Sequence, residues 1–132
     1  MHKIIIAWSS KFMQEALNLK TNLEQKWYQV LNYPKDIANK DYKTVYEKFY
    51  EDINNADDFI LLNLDKKGIE WYIGYESFAE MSFMIVKSIQ ENNDKKIYIY
   101  KMPSKEVWCY DEIVEFLKLW YIELYDKSKL SK

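Results

Sequence analysis

The run DDFILLNL at residues 57–64 constrains the fold more than any other stretch. Its apolar core is nearly unbroken and bounded by polar residues, the pattern of a strand covered on both faces. Such a strand requires neighbours of the same kind and helices to cover them, and the chain offers both in alternation. KIIIAW (3–8) is a β-branched run of the same type, YQVLNYP (28–34) reads as a strand stopped by Pro34, and KKIYIY (95–100) is followed by Pro103 at its exit.

Helical spacing fills the gaps. Ser9 or Ser10 caps a first helix whose stripe is Phe12, Ala16, Leu19 and Leu23. A polar connection over 38–43 leads to a helix at about 44–55. Phe78, Met81, Ile85 and Ile89 share one face of a third helix, expected to run to about Gln90. A final helix over 111–125 carries Ile113, Leu117, Trp120 and Leu124. Leu119 and Ile122 fall outside its main stripe, which means either deeper burial or a subunit contact.

The order β-α-β-α-β-α-β-α predicts an α/β protein: a flavodoxin-like three-layer α/β/α sandwich with a central parallel sheet of four to five strands. One domain over 1–126 and a basic, frayed tail over 127–132 (KSKLSK) are expected. Ligands of such sheets bind beyond the carboxyl ends of the strands, where the strand order reverses. The loops after the first and third strands lie at that end. Both glycines of the chain, Gly68 and Gly74, fall in the second loop, where the backbone is expected to turn sharply and approach a ligand.

Composition removes several classes of chemistry. With 132 residues, 48% hydrophobic, 30% charged and a net charge of -2, the chain reads as a globular domain without the electrostatic footprint of a nucleic-acid polymer binder. No apolar run approaches the ~20 residues of a membrane span, and the apolar start is too short for a signal-peptide core, so a cytoplasmic protein is expected. Cys109 is alone, and His2, the one histidine, is expected at a mobile terminus. A His-dependent triad, a Cys/His pair and a Cys/His zinc site therefore lack parts. No metal or cofactor is called for, and catalysis is left to carboxylates, hydroxyls, tyrosines, lysines and backbone dipoles.

The segment NLDKKGIEWYIGYESFAEMSFM (63–84), followed by IYIYKMP (97–103) and YDEI (110–113), resembles nucleoside 2-deoxyribosyltransferase-like proteins over residues 53–113. The resemblance implies N-glycosidic bond cleavage or transfer on a nucleoside or nucleotide. Glu80 matches the family's nucleophile, Ser9 and Ser10 would meet a phosphate or sugar hydroxyl, and Asn63, Asp65, Tyr72, Gly74 and Ser77 would border the substrate. Family members often carry a histidine or aspartate ahead of the third strand. Here Phe49 or Tyr50 stands there, and Asp52, a turn away, is the candidate second acid. A small-molecule partner and a homodimer or higher homo-oligomer are expected.

Blander readings compete. Ser77-x-x-Glu80 is also a capping box, which needs no chemistry. Asp57 and Asp58 read as a solvated pair ahead of a buried strand rather than a metal site. Trp71 and Tyr72 serve either stacking or packing. The departure near Phe49 admits a non-catalytic nucleotide-binding or interaction module of the same fold, and the element order admits a flavin carrier.

Overall fold

The computed structural model describes residues 2–31, 41–92 and 95–126. Five strands, β1 (His2–Ala7), β2 (Tyr28–Val30), β3 (Asp58–Leu61), β4 (Lys96–Ile99) and β5 (Glu123–Leu124), form one sheet in the order β2-β1-β3-β4-β5. Every pairing is parallel, with Ile4 opposite Asp58, Asp58 opposite Lys96 and Tyr98 opposite Glu123. The helices are α1 (Met13–Gln25, entered through a 3-10 turn at Ser10–Phe12), α2 (Tyr42–Asn55), α3 (Tyr75–Glu91) and α4 (Tyr110–Lys118). This is the expected flavodoxin-like α/β/α sandwich, and the strand order reverses between β1 and β3.

The central strands are buried on both faces because their side chains alternate between two cores. Ile5, Ala7, Phe59, Leu61, Ile97 and Ile99 point to one side, with Ile53 of α2, Met81, Met84 and Ile85 of α3, and Ile113 of α4. Ile4, Ile6, Ile60 and Tyr98 point to the other, with Ala16, Leu19 and Leu23 of α1. Among the described residues one amphipathic helix covers the second face, burying Ala16, Leu19 and Leu23 of the stripe read from sequence, while Phe12 falls in the preceding 3-10 turn.

The last element differs from expectation. The helix predicted over 111–125 ends at Lys118, Trp120 takes a left-handed φ of 63°, and the chain returns as the edge strand β5. Ile122 is therefore a core residue, 1% exposed, and not part of an oligomer surface, while Leu119 and Trp120 are exposed. Periodicity alone could not show this, because apolar residues three or four apart fit a helix whether or not it continues. The second helix starts two residues earlier than predicted, where Asp41 Oδ1 accepts the N–H of Thr44 at 2.7 Å. β2 ends at Val30, and residues 32–34 of its expected extension, 38–40 of the 38–43 connection and the tail at 127–132 lie outside the described residues.

The amino end of the sheet also corrects the sequence reading. Asp58 is buried, not solvated: His2 Nε2 lies 3.1 Å from its carboxylate and the Lys96 N–H donates to it at 3.3 Å. Burial raises its pKa, and the nearby His2 works against that shift. His2 is thus tied to the sheet, with its ring edge-on to Tyr28, rather than free at a mobile terminus.

Candidate functional site

Among the described residues, three loops lie at the carboxyl edge of the sheet, after β1, β3 and β4. The β3 loop explains one of the two glycines. Lys66 and Ile69 exchange backbone hydrogen bonds of 3.0 Å around Lys67 (φ 54°) and Gly68 (φ 76°), a tight turn of the I′ kind that requires two left-handed residues. Gly74 has a different role. It is the N-cap of α3 at φ -75°, and a Cβ placed there meets nothing within 4 Å. Neither glycine is imposed by a close approach of protein atoms.

The loop is then cross-braced by side chains. Asn63, 1% exposed, donates from Nδ2 to the carbonyls of Trp71 (3.0 Å) and Lys101 (2.7 Å), while its Oδ1 accepts the N–H of Lys101 (3.0 Å). Its amide is committed to the backbone and ties the β3 and β4 loops together. Asp65 Oδ1 accepts the N–H of Trp71 at 3.0 Å, and the Tyr72 N–H donates to the carbonyl of Leu64. Tyr72 is half-buried against the core. Trp108 Nε1 donates to the carbonyl of Ile73 at 2.7 Å, and its ring packs on Tyr75 and Phe78, pinning the entry to α3. Across the strand reversal, Lys66 Nζ donates to Ser9 Oγ at 3.4 Å. Ser10 opens the 3-10 turn beside Ser9.

Glu80 lies in a second neighbourhood, between α2 and α3. Both helices begin at the carboxyl edge and run back along the sheet. Tyr42 at the rim therefore meets Glu76, its hydroxyl donating to the carboxylate, and Tyr50, two turns deeper, meets Phe83 with ring centroids 5.1 Å apart. Tyr42, Tyr46 and Tyr50 repeat every four residues and form a ladder with centroids 5.5 and 5.0 Å apart. Glu80 acts electrostatically on Tyr42 and Tyr50.

The Glu80 carboxyl is half-buried, and no hydrogen bond or ion pair reaches it among the described residues. Burial, and then the charge of Glu76 one turn away, push its pKa up to about 8. The capping-box alternative is overturned: α3 begins at Tyr75, so Ser77 lies inside the first turn and Glu80 is a turn too deep to reach the helix start. Hydrogen bonding to Glu76 pushes the Tyr42 hydroxyl up to about 12, and burial raises Tyr50. Both phenols stay protonated at neutral pH and act there as donors, not bases.

Asp52 is not part of this neighbourhood. It sits two residues past Tyr50, about 200° around the helix, and its buried carboxylate is held by Lys48. The residues taken from the family pattern thus divide: Ser9, Asn63, Asp65, Tyr72 and Gly74 belong to the rim loops, and Glu80 to the α2–α3 seam, with Ser77 one helical turn before it. Sequence reading missed the tyrosine ladder, although its spacing at 42, 46 and 50 was visible as a helical stripe. On the solvent side of the same seam lies an open groove of about 760 Å³, lined by Tyr46, Tyr50, Phe83 and Val86 with Glu47 and Glu51 at its edge. Among the described residues, no helix is long and apolar enough to cross a membrane.

The class defined by this arrangement is a flavodoxin-like α/β protein with a half-buried carboxyl, unpaired among the described residues, beside an aromatic ladder between two of its helices. No family model matches the chain, and no curated protein matches it. A similar solved structure is that of a conserved protein from Enterococcus faecalis V583, 15% identical, with 98% of this chain and 94% of that one covered at a TM-score of 0.54. At that identity the likeness is one of fold.

Proposed function

We propose that the protein cleaves or transfers at the N-glycosidic bond of a nucleoside or nucleotide, with Glu80 as the nucleophile. The observation that carries this reading is the state of Glu80: a half-buried carboxyl with no cap to make, no cation beside it and no hydrogen bond among the described residues. A carboxyl kept in that condition costs stability, and sites that do chemistry are where such costs collect.

In the ionised form, a Glu80 oxygen attacks the anomeric carbon. The C–N bond breaks, its electron pair goes to the base nitrogen, and that nitrogen takes a proton from solvent water, which the proton shed by the attacking water of the second step replaces. Water then attacks the same carbon, frees the carboxylate and gives hydrolysis; a second base in place of water gives transfer. The oxocarbenium-like transition state is positive, and the charge of Glu76 one turn away favours it.

The reading also takes the protein as cytoplasmic and self-associating, with exposed Tyr46, Phe83 and Val86 as apolar surface for a second copy. The test is free-base release from deoxynucleosides, ribonucleosides and their 5′-monophosphates, with Glu80→Gln alongside and an acceptor base in half the samples. Release that the variant abolishes supports the assignment, and equal release in both proteins sinks it.

A second reading, a binding module without turnover, is favoured by Asp52. Asp52, the candidate second acid a turn from the family's base-handling position, has its carboxylate held by Lys48. Ligand-dependent thermal stabilisation without base release would establish that reading.

A further inference from the structure

Helix α4 ends in a complete Schellman turn: the Trp120 N–H donates to the carbonyl of Leu117 at 3.2 Å and the Tyr121 N–H to that of Phe116 at 3.0 Å. Such a turn needs one left-handed residue, ordinarily a glycine, and here Trp120 supplies it at φ 63°. The apolar contact that accompanies the turn is made by Tyr121 and Phe116, whose ring centroids lie 6.3 Å apart. Neither the turn nor its packing uses the indole of Trp120, which is 81% exposed.

Trp27 holds the same place after α1, so the conformation by itself assigns nothing. At Trp120 it is joined to a recess of about 180 Å³ between the last turns of α3, the amino end of β4 and the α4–β5 connection. Buried Ile85 and Ile97 form its floor, and Ile89, 54% exposed, stands with Trp120 at its rim. Its charged lining is net cationic, Lys95 and Lys96 against the carboxylate of Glu123. Lys96 Nζ lies 3.7 Å from Glu123, beyond hydrogen-bond length. Lys95, half-buried, donates to the carbonyl of Ala56 at 2.7 Å and has no carboxylate partner among the described residues.

We propose that this recess binds a small aromatic carboxylate, with the ring between Ile89 and Trp120 and the carboxylate on Lys95 and Lys96. A cavity of about 150 Å³ is enough for one benzene ring, so the space suits a ring with a short acidic arm and little more. The exposed indole offers a face for offset stacking, which adds to the area that a ring buries there. The two ammoniums supply charge-assisted hydrogen bonds that an alcohol or an amine of the same shape would not match. The site lies about two turns past Glu80 along α3, at the amino end of the sheet, and the inference does not depend on the N-glycosidic reading.

The experiment titrates phenylacetate, 2-phenylethanol and acetate separately into isotope-labelled protein, read by NMR at the Trp120 indole N–H and at the amides of Ser88 and Tyr121. Wild type, Trp120→Gly and Lys95→Met/Lys96→Met are compared. Phenylacetate is expected to bind with a Kd of about 0.1–1 mM, and about tenfold or more tightly than the ring without the charge or the charge without the ring. Trp120→Gly should keep or raise resistance to urea, because glycine suits φ 63°, yet weaken phenylacetate about tenfold. The lysine variant should bind phenylacetate no better than 2-phenylethanol. Equal affinity of the wild type for those two probes overturns the anionic class, and unchanged binding in Trp120→Gly overturns the indole as the wall. No movement of these signals at millimolar phenylacetate overturns the site itself. Should the lysine variant fail to fold, the three probes on the wild type and the Trp120→Gly comparison still decide.

Discussion

Glu76 precedes Glu80 by one helical turn on α3, and together with burial its charge holds the Glu80 carboxyl near a pKa of about 8. The pair has opposite fates: Glu76 accepts the Tyr42 hydroxyl, while Glu80 accepts nothing among the described residues. A nucleophile must be ionised. Turnover is therefore expected to rise with pH through about 8 and then level off. A profile that falls through the same range would assign Glu80 to proton donation instead.

The same shift sets a stability prediction. The folded-state pKa lies above the ordinary 4.5, so the fold favours the protonated form. The resulting cost is absent below about pH 4.5, grows as pH rises, and is complete above about 8. Glu80→Gln is expected to match the wild type near pH 4 and to exceed it at pH 9 by a few kcal/mol at most, since water still reaches the carboxyl. Urea denaturation at both pH values checks this, and a variant less stable at pH 9 would contradict it.

Asn63 should matter to folding before it matters to any ligand. Asn63→Ala leaves the Lys101 N–H and the Trp71 and Lys101 carbonyls without their partner, at a cost of about 3 kcal/mol. Asn63→Asp keeps the acceptor but turns a carboxylate toward two carbonyls. It should be damaging at neutral pH and partly recover as pH falls and the acid gains a proton. Parallel denaturation curves at pH 5 and 8 would show the difference.

The two glycines should respond differently. Gly68→Ala puts a side chain at φ 76° and is expected to cost about 1 kcal/mol, although the space is open. Gly74→Ser has ordinary φ, open space and a better capping residue, so stability should hold or rise by a few tenths of a kcal/mol. If Gly74→Ser nevertheless loses ligand binding, the open space at that position belongs to the ligand.

The end of the chain gives a contrast between neighbours. Ile122→Ala should destabilise by about 2–4 kcal/mol, because Ile122 closes the core beneath β5. Leu119→Ala, on the exposed cap of α4, should change stability by less than about 0.5 kcal/mol. Comparable losses at both positions would mean that the exposed side is covered in solution by another molecule.

The strands and the first helix were legible in the sequence because their signals are local. An unbroken apolar run such as 59–62 has to be buried on both faces, and a stripe such as Ala16, Leu19 and Leu23 suits only a helix on a sheet. The helix end after Lys118 was not legible, since Trp120 and Leu124 continue a helical spacing even though the backbone leaves it. Asp58 was misread for a related reason: whether an acid before a strand is solvated depends on what stands beside it, and His2 is distant in sequence.

The sequence by itself determined the class of fold, the parallel sheet and the position of Glu80 on the helix after β3, since hydrophobic period and element order are properties of the chain alone. Only the tertiary structure decided what surrounds that carboxyl. The approach of Tyr50 of α2 to Glu80, the brace of Asn63 on Lys101, and the reach of Lys66 to Ser9 each join residues far apart in sequence. Burial, hydrogen bonding and charge act through space, so the chemistry of a group is set by neighbours that its own segment does not name.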